Sequence, residues 1–318
     1  MHEFSYRVYI SNGREYFESP LLPCGKQDFP LLDSLLELLY LDSTKIEPAF
    51  HQLGRILEQL YSSRNERHAK EILEVLKQVS DEHIYFKILL TEWEQRLADA
   101  KRNQYADAIE TLPKRLLTHI PSNIDTIQRQ IKTLFGKVLN ADGEEKTVSV
   151  MKKMSDYYKT DGEDTLHTFQ FSTLETHFEL AGDTFAEVLY PKSIYEIIEF
   201  FIRQAIIRDT KVRICKNCER YFVLSGHARS EYCDRPADDK GRTCRDVGAI
   251  NVWTKNKADD EVFKAYRREY KRRFAWIRTN KIRPEDFYAW SELARMRKMQ
   301  CDNGELSFEE FKNWLKKT

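Results

Sequence analysis

Apolar positions alternate at the start of the chain and then settle into helical spacing. Phe4, Tyr6, Val8 and Ile10 fall on one side of an extended segment, with Ser5, Arg7 and Tyr9 on the other. Asn12-Gly13 follows, then Glu15-Tyr16-Phe17, which together predict a β-hairpin. From Asp28 to Asp42 the pattern turns helix-like, with Leu31, Leu32, Leu35, Leu36 and Leu39 on one face. Amphipathic helices are then predicted over 46–61, 67–79, 83–97 and 124–139, each with apolar residues three and four apart. The period moves toward two between Leu166 and Leu180, which predicts a short strand pair. Ile194, Ile197, Ile198, Phe201, Ile202 and Ile206 give the segment 193–207 a wide apolar helical face. Three more helices are predicted over 260–277, 284–299 and 307–317. Ser307 and Glu310 read as a capping box at the head of the last.

The fold class that follows is mainly α with small β elements. A first domain over 1–208 begins with the hairpin and is otherwise helical; a second, over 209–318, holds four cysteines and then helices. Only 11 glycines and 9 prolines in 318 residues fit that helical reading. The first 16 residues lack a basic stretch followed by an apolar run, so no signal peptide is expected. The richest apolar stretch, 193–207, is interrupted by Glu196, Glu199, Arg203 and Gln204, so no membrane span is expected either. The expectation is a soluble, cytoplasmic protein that does not engage membranes.

Charge changes the picture. Lys and Arg balance Asp and Glu at 51 each over the whole chain. Residues 201–318 nevertheless hold 28 cationic against 18 anionic side chains, leaving 23 against 33 for residues 1–200. An acidic half joined to a basic half points to a polyanionic partner for the basic half, or to mutual attraction of the halves.

The chemistry concentrates in that basic half. Cys215, Cys218, Cys233 and Cys244 follow the spacing C-x2-C-x14-C-x10-C. A C-x2-C turn brings two thiolates to one metal with little chain strain, and a tetrahedral four-thiolate site for one structural Zn2+ is the expectation. Four thiolates also suit an iron–sulfur cluster, and the plain alternative is four ordinary thiols. His227 is an alternative ligand, and Cys24 and Cys301 are isolated. After the C-x2-C pair come strand-forming residues 220–224, a turn at Ser225-Gly226, a returning segment 231–233, and Cys244 at the start of a helix over 245–257. A knuckle, a hairpin and a ligand at a helix start are the parts of a treble-clef finger.

The run RICKNCERYFV…EYC…TC, placed after the apolar helix SIYEIIEFFIRQAIIRD, resembles the CGNR-type zinc finger of bacteria and related helical families with a C-terminal four-cysteine finger. That resemblance covers 193–257. It implies a bacterial, helical protein whose treble-clef finger binds DNA. The sequence departs from the motif that names the family, since Cys244 is followed by Arg245-Asp246-Val247 in place of Gly-Asn-Arg. The four ligand positions are intact.

Behind the finger, residues 255–283 hold 11 Lys and Arg against 4 Asp and Glu. Phe263, Tyr266, Tyr270, Phe274 and Ile277 define one buried stripe, leaving Lys264, Arg267, Arg268, Lys271 and Arg272 outside it. Those charges suit nucleic-acid phosphates, with Arg242 and Arg245 extending the patch, or they are simply a solvated face. Trp253, Trp276, Trp290 and Trp314 read as core residues rather than base-stacking platforms.

Catalytic signatures are sparse. The sequence has no nucleophile elbow, P-loop or dinucleotide-binding glycine motif, and its eight histidines form no metalloprotease or deaminase pattern. His167 and His177, with Glu175 and Glu179, are the one cluster that a strand pair would bring together. Three functions remain: a DNA- or RNA-binding regulator or accessory protein; a zinc-stabilised scaffold whose helical half binds a protein partner; and an enzyme, such as a nuclease, with an unrecognised site.

Overall fold

The computed structural model describes residues 6–317 apart from 21, 23, 143–147, 226–228 and 259. Phe4 and Ser5 of the first alternating run, Gly226 of the expected turn and His227 therefore lie outside the described residues. The chain divides into two compact units. One comprises residues 1–214 and 220–230, the other 215–219 and 231–318.

The first unit is built on a five-stranded antiparallel sheet in the order β3-β2-β1-β5-β4. Strands β1 (Arg7–Ser11) and β2 (Arg14–Glu18) form the expected hairpin. Ser11 pairs with Arg14 across the two-residue turn, where Asn12 and Gly13 take φ of 48° and 73°. Both central residues are thus left-handed, as the tight turn between right-twisted strands requires. Strand β3 (Lys26–Pro30) occupies the beginning of the segment that the leucine spacing assigned to a helix. Pairing with β2 overrides the helical pattern there, and helix α1 (Asp33–Leu38) starts only after it.

The strand pair expected near 166–180 forms further along, as β4 (Thr176–Ala181) and β5 (Thr184–Leu189). Strand β5 pairs with β1, and β4 is left at the sheet edge. One sheet face carries Val8, Ile10 and Phe17 into the main core. The other holds Tyr9, Ala181, Ala186 and Val188 in a smaller cluster.

Helices cover the main face. They are α2 (Ser43–Ser63), α3 (Glu66–Ser80), α4 (Ile84–Arg102), α5 (Ala108–Thr111), α6 (Lys114–Thr118), α7 (Ile120–Leu134), α8 (Val150–Asp161) and α9 (Ile194–Ile207). Helix α7 runs on into a π-helical turn, Phe135–Leu139. Caps fix several starts: the Asp42, Asn65 and Ser193 side chains accept from backbone N–H groups of the first turn. Helix α9 is buried on more than one face, with Ile197, Ile198, Phe201 and Ile202 wholly inside the core. Its buried Glu199 is satisfied by Arg203 and by the backbone N–H and hydroxyl of Ser172. Two short strands, β6 (Val212–Ile214) and β7 (Tyr221–Val223), pair antiparallel and complete the unit.

The second unit contains the cysteine segment and helices α10 (Cys244–Ala258), α11 (Glu261–Arg278), α12 (Pro284–Asp302) and α13 (Phe308–Lys317). The capping box at the head of α13 forms as predicted. Ser307 N–H donates to Glu310 Oε2 at 3.0 Å, and Glu310 N–H to Ser307 Oγ at 3.3 Å. The core joins Phe287, Trp290, Ala294, Phe311 and Leu315.

Helix α11 meets that core differently from the sequence reading. Tyr266, Tyr270 and Ile277 pack against it, and Phe274, though 44% exposed, meets the buried Phe287 edge-on at 5.6 Å; Phe263 turns instead to Trp253. The most buried side chains of α11 are Glu269 and Arg273, ion-paired at 2.8 Å. The Arg273 guanidinium lies 4.6 Å over the Trp290 ring. A paired, stacked guanidinium can enter a core where a lone charge cannot. Among the described residues no helix is long and apolar enough to cross a membrane.

Candidate metal centre

The four cysteines converge entirely within the second unit. Strand β6 ends at Ile214, and the next five residues form the knuckle. Glu219 closes it with φ of 59° while donating its N–H to the Cys215 carbonyl at 2.9 Å. Lys216 N–H donates to the Glu231 carbonyl at 3.1 Å, which lays 231–233 beside the knuckle. Cys233 N–H then points at Cys215 Sγ, 3.4 Å away.

The hairpin of the finger lies between the third and fourth cysteines, not between β7 and the segment 231–233 as the strand propensities suggested. Ala237 N–H donates to the Arg242 carbonyl at 2.7 Å, Cys244 N–H to the Arg235 carbonyl at 2.9 Å, and Pro236 bridges Thr243. Strand β7 is used instead by β6.

Cys244 opens helix α10. Thr243 and Asp246 cap that helix reciprocally: Thr243 N–H reaches Asp246 Oδ2 at 2.8 Å and Asp246 N–H reaches Thr243 Oγ1 at 3.3 Å. Asp246 thus has a structural task at the head of α10. Asn217, within the C-x2-C turn, donates its amide to Cys244 Sγ at 3.2 Å, and Asn251 of α10 donates to Asn217 Oδ1 at 3.1 Å. The sequence reading missed this pair, whose only signal was a polar residue between two cysteines.

All four Sγ atoms lie within 4.8 Å of one another, three of the residues being buried. Cys218 Sγ and Cys233 Sγ are 3.7 Å apart. That is close to the edge of about 3.8 Å in a tetrahedron of thiolates at about 2.3 Å from a metal, and far from the roughly 2.0 Å of a disulfide. Burial works to raise the Cys215 thiol, but N–H groups of Cys218, Cys233 and Asn217 outweigh it and bring it down to about 7. Burial pushes Cys233 and Cys244 up. A bound cation relieves that penalty, because it stabilises the thiolate form. N–H donors aimed at sulfur and a helix start beside Cys244 favour the same anionic form. The donor set fits a metal ion held by four sulfurs. Such a site is closed, and an ion bound there would tie the knuckle, hairpin and helix together.

The candidate cationic face is also in this unit. Lys264, Arg267, Arg268, Lys271 and Arg272 are exposed along one side of α11. Arg272 is ion-paired to Glu269 at 2.6 Å. Among the described residues no carboxylate pairs with the other four; Arg267 lies 5.7 Å over the Phe263 ring. Lys316 and Lys312 of α13, the latter paired with Glu309 at 3.3 Å, line a cleft with Lys264, Arg268 and Arg272 and with the carboxylates Glu261 and Glu269, a grouping the linear sequence did not reveal. Arg242 and Arg245 are engaged elsewhere, with Asp238 at 2.6 Å and Asp234 at 2.8 Å.

Trp290 is buried and Trp314 and Trp276 are partly so, but Trp253 is 48% exposed, against the expectation of a core residue. Among the described residues no contact joins His167 to His177, although Glu175 and Glu179 do lie within electrostatic reach of His177. His167 Nδ1 is 2.8 Å from Asp164, and His177 meets the Tyr190 ring edge-on at 5.4 Å. Glu175 pairs with Lys192 and Glu179 with Arg7.

This geometry defines a compact module with a four-cysteine cluster able to hold a metal ion. A model described as a family of unknown function (DUF6076) matches residues 166–317, just under half of the chain, from the β4–β5 region through the cysteine cluster to the last helix. No curated protein and no solved structure matches the chain significantly.

Proposed function

We propose that the chain is a nucleic-acid-binding regulator or accessory protein whose C-terminal module is shaped by one structural Zn2+ on Cys215, Cys218, Cys233 and Cys244. The observation that carries this reading is the row Lys264, Arg267, Arg268 and Lys271: four exposed cations on one helix face with no carboxylate partner among the described residues. Unneutralised charges along one helix face suit a polyanionic phosphate backbone, and such contacts release counterions. The likeness of 193–257 to CGNR-type fingers supports the same reading. Arg242 and Arg245 play at most a peripheral part, since each is held by an aspartate.

The test is binding of fluorescent DNA and RNA at low and physiological salt, with the full chain and a variant carrying Lys264→Glu, Arg267→Glu, Arg268→Glu and Lys271→Glu. The native protein should show affinity falling steeply with salt, with a log–log slope of about −0.7 to −0.9 for each phosphate contact. The variant should keep its metal and lose the binding. Unchanged affinity in the variant would sink this reading.

One observation favours a second reading, a module for protein interaction. The core-facing side of β5 buries Leu189, yet Phe185 on the same side is 60% exposed, beside Phe178 at 71% and Leu180 at 64%. An uncovered apolar strip at a sheet edge is a protein-contact feature. Co-purification of a protein at moderate salt, lost on Phe178→Ser, would favour it.

A further inference from the structure

The groove between α10 and α11 carries a second kind of chemistry beside the cations. Ile250, Trp253, Thr254 and Lys257 of α10 are spaced three and four apart and so form one stripe. They line the groove opposite Phe263, Lys264, Arg267 and Lys271 of α11. Its space is about 720 Å³. Ile250 is 68% exposed and Trp253 48%. Trp253 is also held in place: its ring meets Phe263 nearly perpendicularly, at 87° and 5.5 Å between centroids. Lys257 is 5.4 Å over the Phe263 ring and is tied to Asp260 at 2.8 Å. An aromatic that only filled the module would be expected in the core with Phe287 and Trp290. Trp253 instead stands half-open among unpaired cations.

We propose that this groove takes an unpaired nucleobase stacked on Trp253, with flanking phosphates on Lys264, Arg267 and Lys271, so that the ligand is single-stranded nucleic acid. The inference rests on the nucleic-acid reading above and narrows it. Paired bases in a duplex are stacked on each other and closed to an indole lying beside the backbone. Bases of a single strand turn out freely, and each has a π-face whatever its identity. Cations beside an apolar floor suit a polymer that is anionic along one edge and aromatic along the other. A duplex would use the cations alone and leave Trp253 and Ile250 uncovered.

The experiment titrates the full chain with oligo(dT), oligo(rU), a mixed-sequence duplex and polyglutamate, using native protein, Trp253→Ala and Trp253→Phe. Trp253→Ala should bind both single strands about tenfold more weakly and change duplex affinity by less than about twofold. Trp253→Phe should recover most of the loss, and its circular dichroism and metal content should match the native protein. Single strands should quench native tryptophan fluorescence, and the quench should vanish in Trp253→Phe. The ratio of oligo(dT) to oligo(rU) affinity separates DNA from RNA as the source of the strand. Equal single-strand binding by Trp253→Ala and native protein would overturn the stacking site. Duplex binding without single-strand binding would overturn it too, while leaving the cationic-face reading in place. Polyglutamate bound as tightly as oligo(dT), with the same Trp253 dependence, would assign the groove to an acidic peptide and overturn the proposal. Failure of every polyanion to bind would remove both readings together.

Discussion

Glu15 is the residue whose placement is most at odds with its chemistry. The β1–β2 register sets it opposite Ile10, on the face that carries Val8 and Phe17 into the core, and it is fully buried. Ser34 N–H donates to Oε2 at 3.3 Å, while Oε1 has no partner among the described residues. Burial pushes its carboxyl from the ordinary 4.5 up to about 8. His83, which bonds the Ser34 carbonyl, is pushed by burial from 6.5 down to about 4 and is therefore neutral in the fold. The signs differ. A raised carboxyl contributes stability that is complete below 4.5 and lost as pH rises through 8; the depressed imidazole contributes stability present above 6.5 and lost as pH falls toward 4. Of these two, only the Glu15 effect remains above pH 6.5. Glu15→Gln should therefore gain on the native protein by about 1.4 kcal/mol per pH unit as pH rises toward 8. Urea midpoints of both proteins at pH 5, 6.5 and 8 measure this, and a pH-independent difference would refute it. The alternation of the first strand was legible in the sequence. That Glu15 shares the buried side follows from the same alternation, but no local pattern supplies the Ser34 and Tyr85 surroundings that keep it there.

Helix α10 shows how one element serves both candidate sites. Its first residue is a cysteine of the cluster, its Asn251 orients Asn217, and its outer stripe of Ile250, Trp253 and Lys257 lines the groove. Gly248 sets how closely the third cysteine approaches. A Cβ there would fall 2.3 Å from the Tyr232 ring, next in sequence to Cys233. Gly248→Ala should therefore displace Tyr232, destabilise the module by about 1–3 kcal/mol as overpacking does, and weaken metal retention. Competition with a chromogenic chelator reads the second effect; retention equal to the native protein would show that Tyr232 moves without Cys233. Helix α11 is the case where periodicity gave only part of the answer. Its aromatic spacing named a stripe, but the helix turns Glu269 and Arg273 inward because Trp290 offers the guanidinium a π-face. That face belongs to α12, out of reach of any reading of α11 alone.

Each unit of the molecule carries its own apolar core, and only the second contains the cysteine cluster. Metal withdrawal should act on that unit. Cys218→Ser or a strong chelator should take the chain from about one ion to none and lower the melting of the C-terminal part, because metal binding and local folding are one equilibrium. Metal analysis with calorimetry checks this, and full metal retention with unchanged melting in Cys218→Ser would overturn the assignment.

Local physics fixed much of this. Two-residue turn chemistry placed the first hairpin, three-and-four spacing placed most of the helices, and the cysteine spacing singled out four thiols that do converge. These signals act over a few residues, so they are written in the chain. Competition between segments distant in sequence settled the rest. Pairing with β2 made a strand of 26–30, and β6 took the partner expected of the segment 231–233. Aspartates of the same unit withdrew Arg242 and Arg245 from the cationic face while leaving Lys264, Arg267, Arg268 and Lys271 open. Trp253 came to stand beside them because α10 and α11 meet through Phe263. Burial, ion pairing and exposure depend on which neighbour arrives, and the neighbour is a property of the folded chain.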